Sequence, residues 1–542
     1  MSGYATDEAY ATHEVRNQPP ERVGFNAFRT DPALGAAVEV FGAGWARERL
    51  HEAGGLVGSA QVQTLARDAN RFTPELQTHD RFGHRIDWVE FHPAWHELMG
   101  MVRRTGLHAL GWTETRPGAH VARAALAYLW AQGEAGVGCP AVMTFASLAA
   151  LRHAPALLAA YEAKILSPDY DPRPLPPAQK QALGVAMAMT EKQGGSDLRQ
   201  TETVAVAAAD GYRLTGHKWF FSVPTSDLFL TLARTQGGIS CFLAQGWRDD
   251  GSRNFLQLQR LKDKCGNRSN ASSEVEFRGL EAQLVGAEGR GIATILEMAH
   301  LTRIECAVAS AGLIRQAVAE AMHHARHRVA FQRRLIEQPL MRNVLADLVL
   351  ESEAALWLSL RAAAALDASA RDEKERVLSR ILAPVAKYWV CKRAPAVAAE
   401  ALECLGGNGY VEEHVLARLY RDAPLNGLWE GSGNVICLDV LRALQRTPEA
   451  VSLLRQELGR VHPLIDAWLL RMPAPTEQNA RGLTEALAQA CAASLLCRHA
   501  PSPIAEAFVQ TRLAGGGRHF GALPAELPFE DILCRFSGAA AA

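Results

Sequence analysis

The sequence lacks the features that mark several large classes of protein. Its 542 residues include 57 Lys and Arg against 58 Asp and Glu, so the net charge of -1 gives no general attraction to a polyanion. No pair among the ten cysteines has the C-x-x-C spacing of a zinc or redox site, and no metal is expected. Scattered free thiols of this kind are typical of a protein from the reducing cytosol.

Membrane and nucleotide signatures are also missing. No uncharged apolar run is long enough to span a bilayer, and the first residues have neither the basic nor the apolar stretch of a secretion signal. The sequence therefore predicts a cytoplasmic protein with no membrane segment. No G-x-G-x-x-G follows a first strand and no G-x-x-x-x-G-K-[ST] is present, so a dinucleotide would need a cradle other than a Rossmann or P-loop site.

The spacing of apolar residues changes along the chain and predicts an α+β protein of four domains. Apolar residues three and four apart predict an N-terminal helical domain over residues 1–180, which ends in a proline-rich linker. Apolar alternation, with a hairpin turn at Asp210-Gly211, predicts an antiparallel β-domain over 181–285. The helical spacing returns in a bundle over 286–444 and in an appended helical domain over 445–542.

Three short segments carry the candidate chemistry. They are Met189-Thr190-Glu191-Lys192-Gln193-Gly194-Gly195-Ser196-Asp197, His217-Lys218-Trp219-Phe220-Phe221-Ser222 and Trp429-Glu430-Gly431-Ser432-Gly433-Asn434. Together they supply hydroxyls, turn amides, an aromatic face and a glutamate, which are the groups that a flavin ring and a carboxylate base require. Each segment alone is a common turn sequence, so it is their order along one chain that favours a flavin site.

In these segments the sequence resembles the acyl-CoA dehydrogenase family, most strongly from about Gly184 to Arg442. The resemblance implies the family fold, in which a helical domain, a β-domain and a helical bundle hold FAD between them. It implies that Thr190 meets the pyrimidine edge of the flavin, and that Ser196 reaches either the cofactor or the thioester ligand. It also implies the following cofactor contacts: Met189, Thr190, Gly195, Ser196, Trp219, Phe220, Phe221, Ser222, Trp429, Gly431, Ser432, Gly433 and Asn434.

The resemblance assigns the catalytic base to Glu430. This glutamate would remove the α-proton of an acyl thioester while a hydride leaves the β-carbon for the flavin, beside which Trp219 and Ser222 would lie. We hypothesise that the flanking Leu428 and Trp429 desolvate Glu430 and raise its pKa.

A further group of residues points to contacts between subunits. Arg328-Val329-Ala330-Phe331-Gln332 matches the family's Arg-x-x-Phe-Gly, in which the arginine of a neighbouring subunit meets the FAD pyrophosphate. Gln332 stands where the family has glycine. Gln338 and Gly407 fall where the family builds the adenosine and pyrophosphate site across an interface. A homotetramer is implied by this resemblance alone.

Within the family the match is to a subgroup that acts in the adaptive response to alkylation damage and carries an extra C-terminal domain. Ordinary members have Tyr before the base and Gln four residues after it, where this sequence has Trp429 and Asn434. The resemblance therefore implies weak acyl-CoA dehydrogenase activity. The implied partners are double-stranded DNA and either an acyl-CoA or a small alkylating substrate.

The appended domain gives the DNA hypothesis only local support. From Leu441 onward, ten arginines and nine acidic residues nearly balance. The predicted DNA contacts are Arg442 and Arg446 on one helix face, and Arg512 and Arg518 around a run of glycines. Two hypotheses stay open at this point. The chain is either a DNA-associated flavoprotein of the alkylation response, or an ordinary acyl-CoA oxidoreductase whose C-terminal domain serves assembly.

Overall fold

The computed structural model describes residues 12–515 and 519–537. Its first part contains the helices α1 (Pro32–Val40), α2 (Arg47–Val57), α3 (Ala60–Arg71), α4 (Pro93–Thr105), α5 (Leu110–Thr113), α6 (Ala119–Gly133), α7 (Gly138–Leu151) and α8 (Pro155–Ile165). Local chemistry sets where they begin. Asp31 caps α1 by accepting a hydrogen bond from the Leu34 amide at 3.0 Å, and Pro32 occupies the first turn, where no backbone donor is needed.

This first part also contains a β-hairpin that the sequence pattern did not predict. β1 (Glu75–His79) pairs antiparallel with β2 (Arg85–Glu90) between α3 and α4. Both strands are largely polar and exposed, so they lack the apolar alternation by which a strand is recognised. The hairpin docks through the buried Asp87, which accepts hydrogen bonds from Arg85 Nε at 2.9 Å and from the Leu258 amide at 3.2 Å.

The central sheet consists of β3 (Val185–Ala188), β4 (Val204–Ala208), β5 (Gly211–Ser222), β6 (Leu228–Thr235), β7 (Gly238–Gln245), β8 (Leu256–Leu261) and β9 (Ser272–Val285). The strand order is β3-β6-β4-β5-β9-β7, with β8 on β9, and β7 also pairs with β6. The expected hairpin is present, since Ala208 lies opposite Gly211 across the turn.

The sheet is mixed, which corrects the purely antiparallel domain expected from the sequence. β6 pairs parallel with β3 over four residues and with β4 at Val204 and Arg234. The direction of a strand depends on the route by which the long connections between strands bring the chain back to the sheet. Apolar alternation reports only which side chains share a face, so it carries no information on direction.

The helical spacing that returns after the sheet corresponds to α9 (Gly291–His327), the small hairpin β10 (Val329–Ala330) and β11 (Arg333–Arg334), α10 (Pro339–Ala368), α11 (Glu373–Cys404), α12 (Val415–Asp422) and α13 (Gly433–Arg446). Asp372 caps α11 by accepting from the Lys374 amide at 2.8 Å. The helices α9, α10 and α11 pack along one another. The buried Trp357 of α10 lies against Phe41 and His499, and the buried Trp389 of α11 lies against Phe508. This bundle supplies the rigid elements on which the base segment rests.

The last helices are α14 (Ala450–Leu458), α15 (Pro463–Arg471), α16 (Ala480–His499), α17 (Ser502–Arg512) and α18 (Phe529–Ser537). α16 packs on α10, α11 and α13, and ion pairs of 2.7 to 3.0 Å join the two parts, including Arg361 with Glu457 and Arg535 with Glu353. The C-terminal helices therefore share their packing surface with the bundle. Within residues 12–515 and 519–537, no helix is long and apolar enough to cross a membrane, and no three His, Cys, Asp or Glu side chains converge as metal ligands.

Candidate active site

The first segment forms a tight turn over Thr190. Glu191 and Gly194 pair across this turn, and the Thr190 carbonyl accepts a hydrogen bond from the Trp219 amide at 2.8 Å. A Cβ atom at Gly195 would lie 2.6 Å from Thr190 Oγ1, which is closer than Cβ atoms come to other atoms. Glycine is therefore needed at position 195, and the first two candidate segments lie side by side.

A buried ion pair that sequence reasoning missed joins the same two segments. Lys218 Nζ lies 2.6 Å from Glu191 Oε1, and both side chains are buried. Glu191 also accepts from Thr203 Oγ1 at 2.6 Å and from the Glu202 amide at 2.7 Å. Burial alone would raise the pKa of Glu191, but the Lys218 charge and these donors lower it to about 2. The carboxylate thus stays charged and organises the turn around Thr190.

In the second segment, the register of β5 on β9 shifts between Lys218 and Phe221, so the side chains do not simply alternate between the two sides of the strand. Trp219 is half-buried, and the Lys262 ammonium lies 3.3 Å from the centroid of its ring. Phe220 is exposed, and Ser222 Oγ lies 3.4 Å from Ser272 Oγ. The Phe221 side chain is fully buried and packs against Phe229 with ring centroids 4.9 Å apart. Phe221 is therefore part of the core, which corrects the expectation that its side chain contacts a cofactor.

The third segment places Glu430 on a strained turn before α13. Glu430 has φ of +59° and Gly431 has φ of +110°. A non-glycine residue in the left-handed region costs about 1 to 3 kcal/mol, so the surroundings must hold it there. Arg303 Nε donates to the Glu430 carbonyl at 3.0 Å, and Lys387 Nζ donates to the Gly431 carbonyl at 2.8 Å. Asp439 fixes Arg303 in turn, at 3.0 Å.

Burial raises the pKa of Glu430, while hydrogen bonding from Thr302 and the charges of Arg303 and Lys387 oppose the shift. The direction agrees with the hypothesis drawn from the sequence, but the source of the burial differs. Leu428 is 64 % exposed and does not cover the carboxyl group. Instead, the carboxyl group lies against α9, which contributes Thr302.

Cys139, near the start of α7, connects the second and third segments. Burial raises the pKa of this thiol to about 11, and a hydrogen bond with Ser222 and the Lys264 charge act in the opposite direction. The Glu430 carboxyl also acts on the thiol and raises its pKa. Ser222 of β5 and Glu430 of the third segment therefore both influence the pKa of this thiol, although they lie far apart in the sequence.

The polar groups around this position fit a ring system with its own donors and acceptors. Asn270 is 1 % exposed, and neither atom of its side-chain amide has a hydrogen-bond partner among the described residues. Buried amides without hydrogen-bond partners are rare in folded proteins, and a bound group that supplies the missing partners is one explanation for them. An FAD ring beside Trp219 and Ser222 offers such donors and acceptors, so these residues fit the cofactor.

Three family models match successive parts of the chain. The N-terminal domain of adaptive response protein AidB matches residues 17–172, and the middle and C-terminal domains of acyl-CoA dehydrogenase match residues 186–280 and 289–445. The protein AidB of Escherichia coli strain K12 is 44% identical over 540 residues, which cover 98% of this chain and 99% of AidB. The chain belongs to the acyl-CoA dehydrogenase family.

Two further relatives agree with this membership. Acyl-CoA dehydrogenase family member 11 of Caenorhabditis elegans is 32% identical over 401 residues, 71% of this chain and 64% of that protein. The crystal structure of C. elegans ACDH-11 in complex with C11-CoA has a TM-score of 0.84 at 25% identity and covers 99% of this chain and 95% of that one. As a family member the chain is an FAD-dependent oxidoreductase, and the α+β fold class expected from the sequence is confirmed.

The residues that the family uses for the FAD pyrophosphate make local contacts in this chain. Arg328 follows α9 and donates to the carbonyl of Asn17, and Gln338 Nε2 donates to the Ala330 carbonyl at 2.9 Å. Gly407 lies in a short 3-10 turn, Gly406–Tyr410, after α11. Across the described chain, no hydrogen bond links these three residues to Thr190, Trp219 or Glu430. Their contact with the FAD of a neighbouring subunit is what the resemblance implies.

The four arginines predicted to bind DNA differ in their surroundings. Arg442 is exposed on α13, 3.9 Å from Asp439, and Arg446 is exposed one turn later. Arg512 is only 14% exposed and pairs with Asp347 and with Glu351 Oε1 at 2.9 Å. Because two carboxylates already neutralise it, Arg512 is a structural residue, which corrects the prediction. Arg518 lies outside the described residues.

Proposed function

We propose that this chain oxidises an acyl-CoA thioester and that Glu430 is the base. The observation that carries this proposal is the turn before α13, in which Arg303 and Lys387 hold Glu430 in the left-handed conformation and burial raises the pKa of its carboxyl group. Glu430 takes the α-proton of the thioester. Bound FAD would supply the acceptor for the hydride that leaves the β-carbon, so that a double bond forms between the α- and β-carbons of the thioester. Arg303 and Lys387 hold the turn, so the carboxylate is already in place when substrate arrives.

The proposed cofactor contacts divide between two subunits of a homotetramer. Thr190, Trp219 and Ser222 hold the flavin of their own chain. Arg328, Gln338 and Gly407 reach the pyrophosphate and adenosine of a neighbouring chain's FAD. Support for the second group comes from the family resemblance and from Phe331, which lies close to Arg328 in the sequence and is 93% exposed. The exposed Asn434 accepts from Arg481 of α16 at 2.9 Å, so the C-terminal helices contact the base segment.

Anaerobic titration of the purified holoenzyme with a panel of acyl-CoA thioesters tests the proposal. We expect at least one thioester to bleach the flavin absorbance, because reduction removes the oxidised flavin band. Glu430→Gln should keep its FAD but lose the bleaching, whereas the exposed Glu477→Gln should behave as wild type. Bleaching that persists in Glu430→Gln, or a panel that leaves the spectrum unchanged, would show the proposal to be wrong.

A second function is favoured by the 44% identity to AidB over 98% of the chain. We propose that the protein binds double-stranded DNA in the adaptive response to alkylation damage, where FAD is either structural or inactivates a small alkylating agent. The exposed Arg442 and Arg446 are the described residues that support it. Neutralising a phosphate releases counterions, so each lost contact should reduce the slope of log affinity against log salt by about 0.9.

Point substitutions test this second function better than removal of residues 445–542, because ion pairs and shared packing join those residues to the bundle. Duplex binding should weaken steeply with salt, and Arg442→Gln combined with Arg446→Gln should reduce that slope. The exposed Arg67→Gln of α3 is the matched control. Binding that is absent or insensitive to salt would exclude the DNA function and leave the oxidoreductase alone.

A further inference from the structure

The loop between β8 and β9 carries a lysine that has no role in the site described so far. The loop is fixed at two points. The Asn267 amide donates to Asp422 Oδ1 at 2.6 Å, and Ser269 Oγ donates to Glu134 Oε1 at 2.7 Å. A Cβ atom at Gly266 would lie 2.2 Å from the Arg421 carbonyl oxygen, so the loop backbone is in close contact with the end of α12. These anchors determine the position of Lys264 as well.

Lys264 begins a directional chain of hydrogen bonds that ends at Ser222. Its ammonium donates to the Asn270 carbonyl and to Ser272 Oγ, the latter at 3.1 Å. An ammonium has only donors, so Ser272 must accept from it, and the single hydroxyl proton of Ser272 remains available for Ser222 at 3.4 Å. If Ser222 accepts from Ser272, its own hydroxyl proton remains for a third partner, either the Cys139 thiol or a group bound at the candidate flavin site. Hydrogen bonds connected in this way polarise one another.

The charge of Lys264 is not neutralised by a direct ion pair. Among the described residues, no carboxylate lies within 4.0 Å of its ammonium, in contrast to Lys262 of the same loop, which lies 2.6 Å from Glu274 Oε1. Burial lowers the pKa of Lys264 to about 8, and the groups that act against this are Cys139 of α7, Asp422 of α12 and Glu134 at the end of α6. Asp422 and Glu134 are occupied by the loop anchors. A partly buried cation without a counterion is costly, and an anion nearby would stabilise it.

We propose that Lys264, acting through Ser272 and Ser222, is a positioning residue that stabilises the negative charge that bound FAD gains when it accepts a hydride. The proposal rests on the FAD site described above and adds to it a residue that tunes the cofactor. Preoriented donors that meet developing charge in a site shielded from water are effective because they need no rearrangement. A hydrogen bond with a charged group is also stronger than a neutral one.

The midpoint potential of FAD in the holoenzyme, measured by equilibration with a reference dye, tests this role. Lys264→Met should lower the equilibrium constant for FAD reduction about tenfold. For a two-electron couple, this change makes the midpoint potential about 30 mV more negative. Lys264→Arg keeps the charge and should shift the potential less. Ser272→Ala keeps the cation but breaks the series of hydrogen bonds from Lys264 to Ser222, so it should also make the midpoint potential more negative. Lys374→Met, in the first turn of α11, controls for the loss of one positive charge.

Because Lys264 acts through Ser272, the double variant Lys264→Met with Ser272→Ala should match Lys264→Met alone. A potential for Lys264→Met equal to that of Lys374→Met would overturn the proposal, and so would fully additive shifts in the double variant. If Lys264→Met does not fold, Lys264→Arg and Ser272→Ala decide the question. The FAD content of the wild-type protein is measured first. A wild type that binds no FAD would overturn the flavin site itself, whereas one with FAD and no Lys264 effect overturns only this inference.

Discussion

Lys387 Nζ donates a hydrogen bond of 2.8 Å to the carbonyl oxygen of Gly431, the residue directly after the proposed base. The same ammonium donates to the Asn426 carbonyl at 3.1 Å, so one buried cation holds both ends of the turn that carries Glu430. Lys387 is 1% exposed and lies in the middle of α11. The strained backbone at Glu430 is therefore held from inside the bundle.

Replacing this lysine should impair catalysis more than cofactor binding. In Lys387→Met the turn loses both donors, and a base displaced by about 1 Å reacts about 100-fold more slowly. The rate of anaerobic flavin reduction in a stopped-flow instrument measures the effect, with FAD content determined in parallel. Lys374→Met is the control, and a Lys387→Met rate equal to that of the control would contradict the assigned role.

Gly195→Ala should weaken FAD binding. The new Cβ atom would lie 2.6 Å from Thr190 Oγ1 and must displace either the turn or the hydroxyl group that is proposed to meet the flavin. The dissociation constant for FAD, measured by fluorescence quenching on reconstitution of the apoprotein, should rise about tenfold or more, equivalent to about 1.4 kcal/mol. Gly482→Ala in α16 has open space around its Cβ position and should leave FAD binding unchanged. Equal affinities in the two variants would show that the close approach at Gly195 does not matter.

Breaking the pair of Glu191 and Lys218 should destabilise the protein. Glu191→Gln leaves the Lys218 ammonium buried without a charged partner, which costs about 3 to 5 kcal/mol. The free energy of unfolding, from urea titration followed by tryptophan fluorescence, measures the loss. Glu191→Gln with Lys218→Met removes both charges and should recover part of it. A double variant less stable than Glu191→Gln would contradict this account of the pair.

The acid side of the pH profile for flavin reduction should report the carboxyl of Glu430. Its pKa is raised above the ordinary value of 4.5, and only the deprotonated carboxylate can accept the α-proton. As the pH is lowered, the rate should therefore begin to fall at a pH above 4.5. Thr302→Val removes a hydrogen bond that lowers this pKa, so the fall should move to higher pH. Thr294→Val, on the same helix, should leave the profile unchanged. A shift of the Thr302→Val profile to lower pH would mean that Thr302 does not stabilise the charged form.

Sequence reasoning found the α+β fold class and the family because both depend on local patterns. The hairpin of β4 and β5, whose turn is Ala209-Asp210 rather than the expected Asp210-Gly211, and the long helix that starts at Gly291 follow from spacing and turn chemistry over a few residues. The parallel pairing of β6 escaped it because the paired strands are brought together by long connections. The roles assigned to individual site residues remain proposals, and the geometry changes two of them, since Phe221 is core and Arg512 is neutralised by Asp347 and Glu351.

The charged residues behind the site escaped detection for a similar reason. Glu191, Lys218, Lys264 and Lys387 look like solvated side chains in the sequence. Only Lys218 and Lys387 have a local signal, which is their position beside aromatic residues. Their functions depend on partners far away in the chain, such as the carbonyl of Gly431 for Lys387.

By itself the sequence determined the order of its helical and β-rich parts and the three segments that contain the proposed base, because hydrophobic spacing and short motifs are properties of neighbouring residues. Only the tertiary structure decided which cations are buried, which arginines are already paired, and why the pKa of Glu430 is raised. Those properties depend on burial and on hydrogen-bond partners, and both are set by elements that meet only when the chain is folded.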